Sequence, residues 1–252
     1  CVFGVLLYGA KMAGDPGSLP GAGIMKIAIY TPDYLPGTRG GGPVRSTHGL
    51  ACGLVALGHE VLVLTTDRDG PDRLDVPFDR PLALDRAQVH YRPTPRPTRF
   101  YYRPALGRLA DEIVPQVDAV HVNGMFLWPG PRIARTARRA GKPLVISPRG
   151  MLMPKLVAGK SRLAKLAWIA LQERAKLRAA KALHVTAESE AEGLRALGLA
   201  EAPIHVIANG VAVPDRWPTV SEIDAVWGDV PPGKRVAFFG RLGWNKGVDL
   251  AI

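Results

Sequence analysis

The feature that most constrains the fold is a regular alternation of short apolar segments with longer amphipathic ones. Segments rich in Val, Ile and Leu predict strands at 26–30, 60–66, 88–92, 118–123, 143–147, 182–186, 204–207 and 234–239. The segments between most of them predict helices at 43–57, 105–114, 129–140, 156–180 and 188–197. Near-continuous apolar strands that alternate with helices are typical of a parallel sheet covered on both faces. We therefore predict an α/β fold with a Rossmann-like, doubly wound parallel sheet.

Stretches rich in Pro and Gly divide the chain into four parts. We expect residues 1–24 to be an extension outside the fold and residues 25–212 to form the first Rossmann-like domain. Residues 213–233 are predicted to be an interdomain linker. Residues 234–252 then supply a strand and a helix start, which we interpret as the truncated beginning of a second Rossmann-like domain. Within the first domain, the Pro-rich and acidic stretches 67–86 and 93–104 are predicted to be loops.

Composition and charge exclude several classes of protein. The chain is 47% hydrophobic, which excludes intrinsic disorder, and its two cysteines exclude a disulfide scaffold. The net charge of +11 is concentrated in one segment: between Arg132 and Lys181 there are fourteen Lys and Arg residues but one acid, Glu173. A basic segment of this kind favours nucleic acid, anionic lipid or a phosphorylated ligand as partner.

A run of glycines stands between the first predicted strand and the first predicted helix. Gly41 and Gly42 allow close approach of the backbone to a ligand, and Pro43 suits the first position of a helix. The N–H groups of that helix start attract an anion, and Arg45 adds a guanidinium for phosphate. The glycine spacing matches a dinucleotide fingerprint weakly, so that NAD, with Asp67 on the ribose, stays an alternative.

Two further loops carry cations at positions where open α/β sheets bind ligands. Arg149 follows the strand predicted at 143–147 and could hold an anion or a transferring group, or be a solvated turn residue. Arg241 and Lys246 lie in the loop after the last predicted strand. One guanidinium and one ammonium five residues apart suit a diphosphate.

The helix predicted at 156–180 is basic and amphipathic. One face carries Arg162, Lys165, Gln172 and Lys176, whereas Leu163, Leu166, Ala170 and Leu177 form the opposite stripe. Such a helix can lie on an anionic membrane surface. The alternative is a helix that packs its apolar stripe on the sheet and exposes a solvated basic face.

The histidines give one candidate for chemistry. His121 lies two residues before Asn123 at the end of a predicted strand, whereas the other strand histidines are typical of structural residues. The sequence contains neither HExxH nor CxxC, and we expect no metal ion and no resident cofactor.

The motifs occur in an order that resembles a known family. They are Ile27–Tyr30 followed by x-Pro, Gly41-Gly42-Pro43-x-Arg45, Gly58-His59-Glu60-Val61, Ser147–Met151, Asn209-Gly210-Val211, and Gly240-Arg241 with Lys246-Gly247. This order, from about Met25 to Ile252, resembles the retaining glycosyltransferases of family 4, which have the GT-B fold. The resemblance implies two Rossmann-like domains that face a cleft, with the acceptor on residues 25–212 and a nucleotide-sugar donor on the second domain.

The resemblance also implies roles for particular residues. Gly41 and Gly42 would line the donor diphosphate and the transferred sugar, with Arg45 nearby, and Arg241 and Lys246 would hold the diphosphate. Asn123 and Gly150 are expected on the acceptor side, and Arg149 and His121 are the candidates for catalysis. Many relatives carry His where Arg149 stands here, which puts a His-assisted mechanism in doubt. The family's glutamate pair, E-x7-E, would lie beyond Ile252.

The function implied is transfer of a hexose, with retention, from a nucleotide-diphosphate sugar to a saccharide or lipid-linked saccharide acceptor. Synthesis of cell-surface polysaccharide or lipopolysaccharide in the cytoplasm is the expected setting, with peripheral contact to the inner face of the plasma membrane through residues 156–180. No nucleic acid partner is expected, and the 252-residue piece alone is expected to be inactive. The alternative is a basic Rossmann-like module that binds membrane or nucleic acid without catalysis.

Overall fold

The computed structural model describes residues 23–95, 102–210 and 216–238. The chain divides into two compact units, Cys1–Gly210 and Val211–Ile252. The first unit contains the sheet and the helices that cover it. The second contributes one α-helix among its described residues, Val220–Trp227. Within the described part of the chain, residues 235–238 of the strand predicted at 234–239 do not pair with another strand, and the rest of the predicted second domain lies outside that part.

An eight-stranded sheet forms the first unit, with strand order β10-β9-β8-β7-β1-β2-β6-β5. The strands are β1 Lys26–Tyr30, β2 Glu60–Thr66, β3 Arg68–Asp69, β4 Asp72–Arg73, β5 Leu82–Leu84, β6 Ala87–Arg92, β7 Ala119–Asn123, β8 Leu144–Ser147, β9 Ala182–Val185 and β10 Ile204–Val206. Neighbouring strands are parallel except for β5, which pairs antiparallel with β6 at one edge, and β3 and β4 form a separate hairpin. The predicted Rossmann-like parallel sheet is therefore confirmed.

Helices fill the connections between the parallel strands. They are α1 Gly42–Ala56, α2 Pro104–Ile113, α3 Pro129–Arg139, α4 Pro154–Ala158, α5 Arg162–Trp168, α6 Arg174–Arg178, α7 Glu188–Ala196 and, in the second unit, α8 Val220–Trp227. A proline occupies one of the first two positions of α1, α2, α3 and α4. Proline suits that position because its ring presets φ and its missing N–H would have no partner inside the helix.

Two sequence-based predictions about this unit are wrong. Residues 67–86 are not all loop, because they contain β3, β4 and β5, which are too short to give a periodic apolar pattern. Residues 156–180 are not one helix. The helical conformation is interrupted between α4 and α5, where Ser161 has a φ of 62°. A π-helical turn at Ile169–Glu173 separates α5 from α6.

Alternating side chains of the strands build a core on each face of the sheet. Ile27 and Ile29 of β1 face α1, whose Ala51 and Leu54 cover them. Tyr30 and its neighbours on the other face pack against α2, α3, α6 and α7. Each fully buried large apolar side chain of this kind contributes about 1.5–3 kcal/mol to folding. Among the described residues, no helix combines the length and the apolar character needed to cross a bilayer.

Candidate active site

The carboxyl ends of β1, β7 and β8 lie side by side at one edge of the sheet. Strand β7 pairs with β1 on one side and with β8 on the other, and Asn123 is opposite Ser147 in the second pairing. Because these strands are parallel, the loops that follow them emerge together. Three predicted segments, the glycine run, Asn123 and the loop around Arg149, are therefore brought to the edge where open α/β sheets bind ligands.

The glycine run forms the start of α1. Gly41 is the N-cap residue, with φ of 72° and ψ of −144°, a backbone conformation that is essentially confined to glycine. No side chain in the described part of the molecule caps this end of the helix. Pro43 has no N–H and the N–H of Val44 donates to the carbonyl oxygen of Gly41 at 3.1 Å, so among the described residues the N–H of Gly42 is the one in this turn that is left to solvent or to a ligand. The helix dipole favours an anion there. Gly42 has open space around it, since a Cβ atom placed there would meet no described atom within 4 Å.

Arg149 joins four parts of the chain through its guanidinium. Its Nε donates to Oδ1 of Asn123 at 2.9 Å, and its Nη1 lies 2.9 Å from Oδ1 of Asn209 and 3.5 Å from Oγ of Ser46 on α1. Asn123 is itself fixed, because its Nδ2 donates to the carbonyl oxygen of Tyr30 at 3.1 Å. The acceptors of these bonds are two amides and a hydroxyl. They orient the guanidinium without neutralising its charge.

The backbone around Arg149 reinforces this placement. Arg149 has a φ of 57°, in the left-handed region that a non-glycine residue rarely adopts, and Gly150 follows with a φ of 74°. Burial lowers the pKa of Arg149 from its usual value, while the negative charge of Glu190 opposes the shift. An arginine side chain nevertheless keeps its proton at physiological pH. The half-buried cation is thus held in a strained, over-determined position, which is common at functional sites.

Glu190 anchors the same loop and was missed by sequence reasoning. One carboxylate oxygen accepts a hydrogen bond from the backbone N–H of Gly150, and the other accepts from the backbone N–H and the hydroxyl of Thr186. Glu190 lies in the first turn of α7 and is buried. The N–H of Gly150 is therefore already bonded, and the space beside Gly150 is open, because a Cβ atom placed on it would meet no described atom within 4 Å.

His121 lies beneath this loop in a chain of three buried side chains. Its Nε2 is 2.7 Å from Oγ of Ser147, which is 2.9 Å from Nδ1 of His184. His184 Nε2 donates to the carbonyl oxygen of Ile207 at 3.0 Å. With both rings neutral, this bond leaves Nδ1 of His184 as the acceptor, so Ser147 donates to it and accepts from His121. Burial lowers the pKa of both histidines, with charge repulsion from Arg149 as a smaller cause.

This geometry bears on His121 as a catalytic candidate. The His121 side chain is fully buried at one end of this chain, so it has no surface that a substrate could touch. His121 instead supports Ser147, the last residue of β8, from which the Arg149 loop starts. This role leaves no sign in the sequence because the hydrogen bonds join residues 26 and 37 positions apart.

A buried ion pair holds the neighbouring loop, after β7. Lys176 Nζ lies 2.6 Å from Oε2 of Glu173, and both side chains are completely buried. The other oxygen of Glu173 accepts from the backbone N–H of Phe126 at 2.6 Å and from the indole of Trp168 at 2.9 Å. Lys176 also donates to the carbonyl oxygen of Gly124. The prediction that Lys176 belongs to a solvated basic face is wrong, because it is the internal partner of Glu173.

The apolar stripe predicted for residues 156–180 is also divided by the structure. Leu177 is buried in the core, as packing on the sheet requires. Leu163 is 82% exposed and Leu171 is 74% exposed, and Leu166 is exposed to a smaller degree. Arg162 is exposed beside them. The surface at α5 and the π-helical turn therefore combines exposed leucines with basic residues.

The remaining predicted site residues are placed as follows. Arg45 is exposed on the first turn of α1, the same turn that carries Gly42. Arg241 and Lys246 lie outside the described residues. The sequence contains no metal-ligand motif, yet the structure gathers His48, Cys52 and Asp85 into a group with suitable spacing.

Comparisons with known proteins agree with this fold. A family model described as a glycosyl transferase 4-like domain matches residues 41–210. Among solved structures, HepE from Anabaena in complex with UDP-glucose is similar over 80% of this chain and 48% of its own, with a TM-score of 0.54 at 15% identity. A second HepE structure, in complex with UDP and glucose, gives 74% and 45% coverage, a TM-score of 0.49 and 16% identity. A search of curated protein sequences finds no match.

The two kinds of similarity support different statements. The likeness to HepE concerns the fold, and the chain spans about half the length of that protein (48%). The family model covers residues 41–210, which is well over half of the chain. Its span begins at Gly41 and includes Asn123, Arg149 and Asn209. The chain belongs to the glycosyl transferase 4-like family.

Proposed function

We propose that this chain provides one side of the active site of a retaining glycosyltransferase. The enzyme moves a hexose from a nucleotide-diphosphate sugar to a saccharide or lipid-linked saccharide acceptor in the synthesis of cell-surface polysaccharide or lipopolysaccharide. The observation that carries the proposal is the position of Arg149. Its charged guanidinium is held by Asn123 and Asn209 and lies 3.5 Å from the hydroxyl of Ser46, near the start of α1. Membership of the family supplies the class of reaction.

The chemistry of sugar transfer explains why a cation is useful here. The bond between the anomeric carbon and the diphosphate oxygen breaks, a bond from that carbon to an acceptor hydroxyl oxygen forms, and the hydroxyl proton passes to the departing diphosphate or to solvent. Negative charge therefore accumulates on the departing nucleotide diphosphate. A fixed guanidinium and a helix N-terminus stabilise such charge without reorganising during the reaction. Arg149 and the Gly41–Gly42 helix start are suited to this role, which requires no metal ion.

The surrounding residues then divide into two roles. Gly41 and Gly42 present bare backbone, so that the diphosphate and the sugar approach α1 closely. Asn123 acts as a positioning residue, since both ends of its amide are used to hold Arg149 and to bond Tyr30. Gly150 leaves open space for the acceptor. Arg45 reaches the diphosphate from the first turn of α1, and Arg241 and Lys246 contact it from the second domain.

Binding of UDP-glucose to the 252-residue chain tests this proposal, with HepE suggesting the probe. Saturation-transfer NMR should show transfer to the uridine and glucose protons, and Arg149→Met should abolish most of it. Arg178→Met is the matched control, because Arg178 lies on the surface beside Glu201 and should leave the signal unchanged. Absence of transfer in the unsubstituted chain, or an equal loss in both variants, would count against the proposal.

We place the enzyme at the cytoplasmic face of the plasma membrane, bound peripherally through Leu163, Leu166 and Leu171. Exposed leucines flanked by Arg162 and other cations match an interfacial surface, where each basic residue near anionic lipid contributes about 1 kcal/mol. Vesicles with about one-third phosphatidylglycerol should co-float the protein, and a Leu163→Ser/Leu171→Ser variant should float less. Leu57→Ser, at an exposed leucine after α1, is the control. Equal flotation of both variants would contradict this surface.

A further inference from the structure

Three side chains with metal-binding atoms meet where α1 passes the turn between β5 and β6. His48 and Cys52 are one helical turn apart on α1, and Asp85 lies in the loop that joins β5 to β6. One ligand atom from each residue lies within 4.8 Å of the other two. Asp85 is 37 residues from His48 in sequence, so tertiary structure alone creates the group. None of the three belongs to the site around Arg149.

The ligand atoms are spaced about as far apart as those of a tetrahedral zinc site, but the thiol must turn to share an ion with the imidazole. The Sγ atom of Cys52 is 3.5 Å from Nε2 and 4.0 Å from Nδ1 of His48, so it lies beside the ring and reaches the front of Nε2 by rotation of the Cys52 side chain. Nitrogen and sulfur ligands at about 2.1 and 2.3 Å from a tetrahedral Zn²⁺ ion lie about 3.6 Å apart. The Oδ2 atom of Asp85 is 2.9 Å from the same Nε2. It would have to move by about 0.5 Å to reach the corresponding nitrogen-to-oxygen edge. The Asp85 side chain is 70% exposed, which permits that movement.

The second ring nitrogen of His48 provides an independent indication. Its Nδ1 lies 3.0 Å from the hydroxyl of Tyr34, a fully buried residue of the core. When Nδ1–H donates to this hydroxyl, Nε2 is unprotonated and faces Asp85, with the sulfur of Cys52 to one side of the ring. Histidines that bind metals almost always donate their other N–H to such a partner, which fixes the tautomer and the ring orientation. The hydroxyl of Tyr34 is therefore placed as the hydrogen-bond partner that orients a metal-binding histidine.

We propose that His48, Cys52 and Asp85 form a binding site for Zn²⁺ or a similar divalent transition-metal ion. The ligand atoms are Nε2, Sγ and Oδ2, and water completes the tetrahedron on the side where Asp85 is exposed. A thiolate, an imidazole and a carboxylate are the donor set that zinc prefers, whereas magnesium and calcium select oxygen ligands. The ion would tie α1 to the antiparallel edge of the sheet.

Metal binding at this site changes the protonation of one residue. Burial, with a smaller contribution from Asp85, raises the pKa of the Cys52 thiol. The thiolate is the metal ligand, so the thiol proton leaves to buffer as the sulfur-metal bond forms. We expect close to one proton to be released for each ion bound.

Cobalt substitution tests the site in the full 252-residue chain, which is purified with a chelator and kept reduced with a phosphine. One equivalent of Co²⁺ should produce a sulfur-to-cobalt charge-transfer band in the near ultraviolet, and one equivalent of Zn²⁺ should remove it. Cys52→Ser should abolish the band. Cys1→Ser removes the chain's other thiol and should leave it intact. No band in the unsubstituted chain, or a band that Cys52→Ser retains, would overturn the proposal.

Two conservative variants keep the test independent of folding. Asp85→Asn, on a mostly exposed side chain, should weaken Zn²⁺ binding at least about tenfold in calorimetry. Tyr34→Phe should weaken it about 10- to 100-fold, the usual effect of losing the partner that orients a metal-bound histidine. His59→Gln changes a histidine outside the group and should leave the affinity unchanged. Equal affinities in all three variants would show that any zinc bound by the chain lies elsewhere.

Discussion

Arg149, in the loop after β8, and Lys176, on the helix α6 before β9, are two cations that are partly or fully buried. They differ in the groups that contact them. Lys176 is completely buried and faces Glu173 at 2.6 Å, so its charge is neutralised inside the protein. Arg149 is half-buried, and its hydrogen bonds go to the amides of Asn123 and Asn209 and the hydroxyl of Ser46. These groups fix its direction and leave its charge for another anion.

The difference teaches how a basic segment can serve both structure and function. The charge of a buried cation is compensated when a carboxylate is its partner, and removing either residue leaves a buried charge without compensation. A cation whose hydrogen bonds go to neutral acceptors stays able to attract an external phosphate, although the negative charge of Glu190 also acts on Arg149. Within the same basic segment, Arg132, Arg174 and Arg178 have acidic partners, as Lys176 does. Four experiments test whether the two cations differ in this way.

The largest effect is expected for the buried ion pair of Lys176 and Glu173. Lys176→Met leaves Glu173 buried without its counter-ion, and breaking such a pair costs about 3–5 kcal/mol of folding free energy. Urea unfolding measures the loss. Arg178→Met removes a partner of Glu201 that is 62% exposed and should cost less than about 1 kcal/mol. Similar losses in the two variants would show that Lys176 is not the structural cation we describe.

The next largest effect is expected for ligand binding through Arg149. Arg149→Met should lower the affinity for UDP by about 10- to 100-fold, because hydrogen bonds to charged groups contribute about 1.5–3 kcal/mol. Arg149→Lys should recover part of the affinity, since it keeps the charge and loses the planar fork. Isothermal calorimetry measures both. A loss of stability in Arg149→Met as large as that of Lys176→Met would remove the contrast between the cations.

A smaller effect is expected at the helix start beside Arg149. Gly41→Ala places a side chain at φ of 72°, which costs about 1–2 kcal/mol and shifts the first turn of α1. Gly42→Ala is the matched control, because Gly42 has open space around it and a helical conformation. Chemical denaturation should show the cost in Gly41→Ala alone. Equal stability of both variants would argue against a strained helix start.

The smallest effect is a dependence of stability on pH. The pKa of His121 and of His184 is lowered in the folded protein, first by burial and then by nearby positive charges that include Arg149. Below the unfolded value of about 6.5, the unfolded chain therefore binds more protons than the folded one. Stability should be constant above pH 7 and fall as the pH drops from about 6.5 toward about 5.

Variants connect this acid sensitivity to the two cations. Arg149→Met removes a charge that disfavours the protonated histidines, so stability should fall less steeply with acid than in the unsubstituted chain. Lys176→Met should leave the slope unchanged, since Lys176 does not contribute to either shift. Thermal unfolding at a series of pH values provides the comparison. An identical slope in all three proteins would show that Arg149 does not act on the histidines.

Much of the fold was predictable because its signals are local. The longer strands and four of the helices lie within one residue of the predicted bounds. Each of these strands is marked by an apolar run, and three of the four helices are marked by a proline at the helix start. The exceptions were β3, β4 and β5, which are short, and residues 156–180, where the π-helical turn at Ile169–Glu173 interrupts the periodicity. In addition, the described residues 235–238 of the strand predicted at 234–239 do not form a strand. Nothing in the composition of that segment distinguished Lys176 from the exposed cations around it.

The candidate site was predictable in part. Gly41, Gly42 and Arg149 were identified because glycine runs and cations after strands are visible in sequence. The groups that position them were not, since Glu190, Ser46 and Asn209 contribute through single hydrogen bonds to distant residues. The roles of Arg241 and Lys246 stay predictions.

By itself, the sequence determined which segments become strands and helices, and that their parallel arrangement gathers the loops after β1, β7 and β8. Apolar periodicity and proline act over a few residues, so they are legible along the chain. Only the tertiary structure decided which cation meets a carboxylate and which meets amides, and that His48, Cys52 and Asp85 share one corner. Ion pairs and metal ligands depend on distances between residues that are far apart in the sequence. The sequence alone therefore does not show which lysine or arginine has a carboxylate partner.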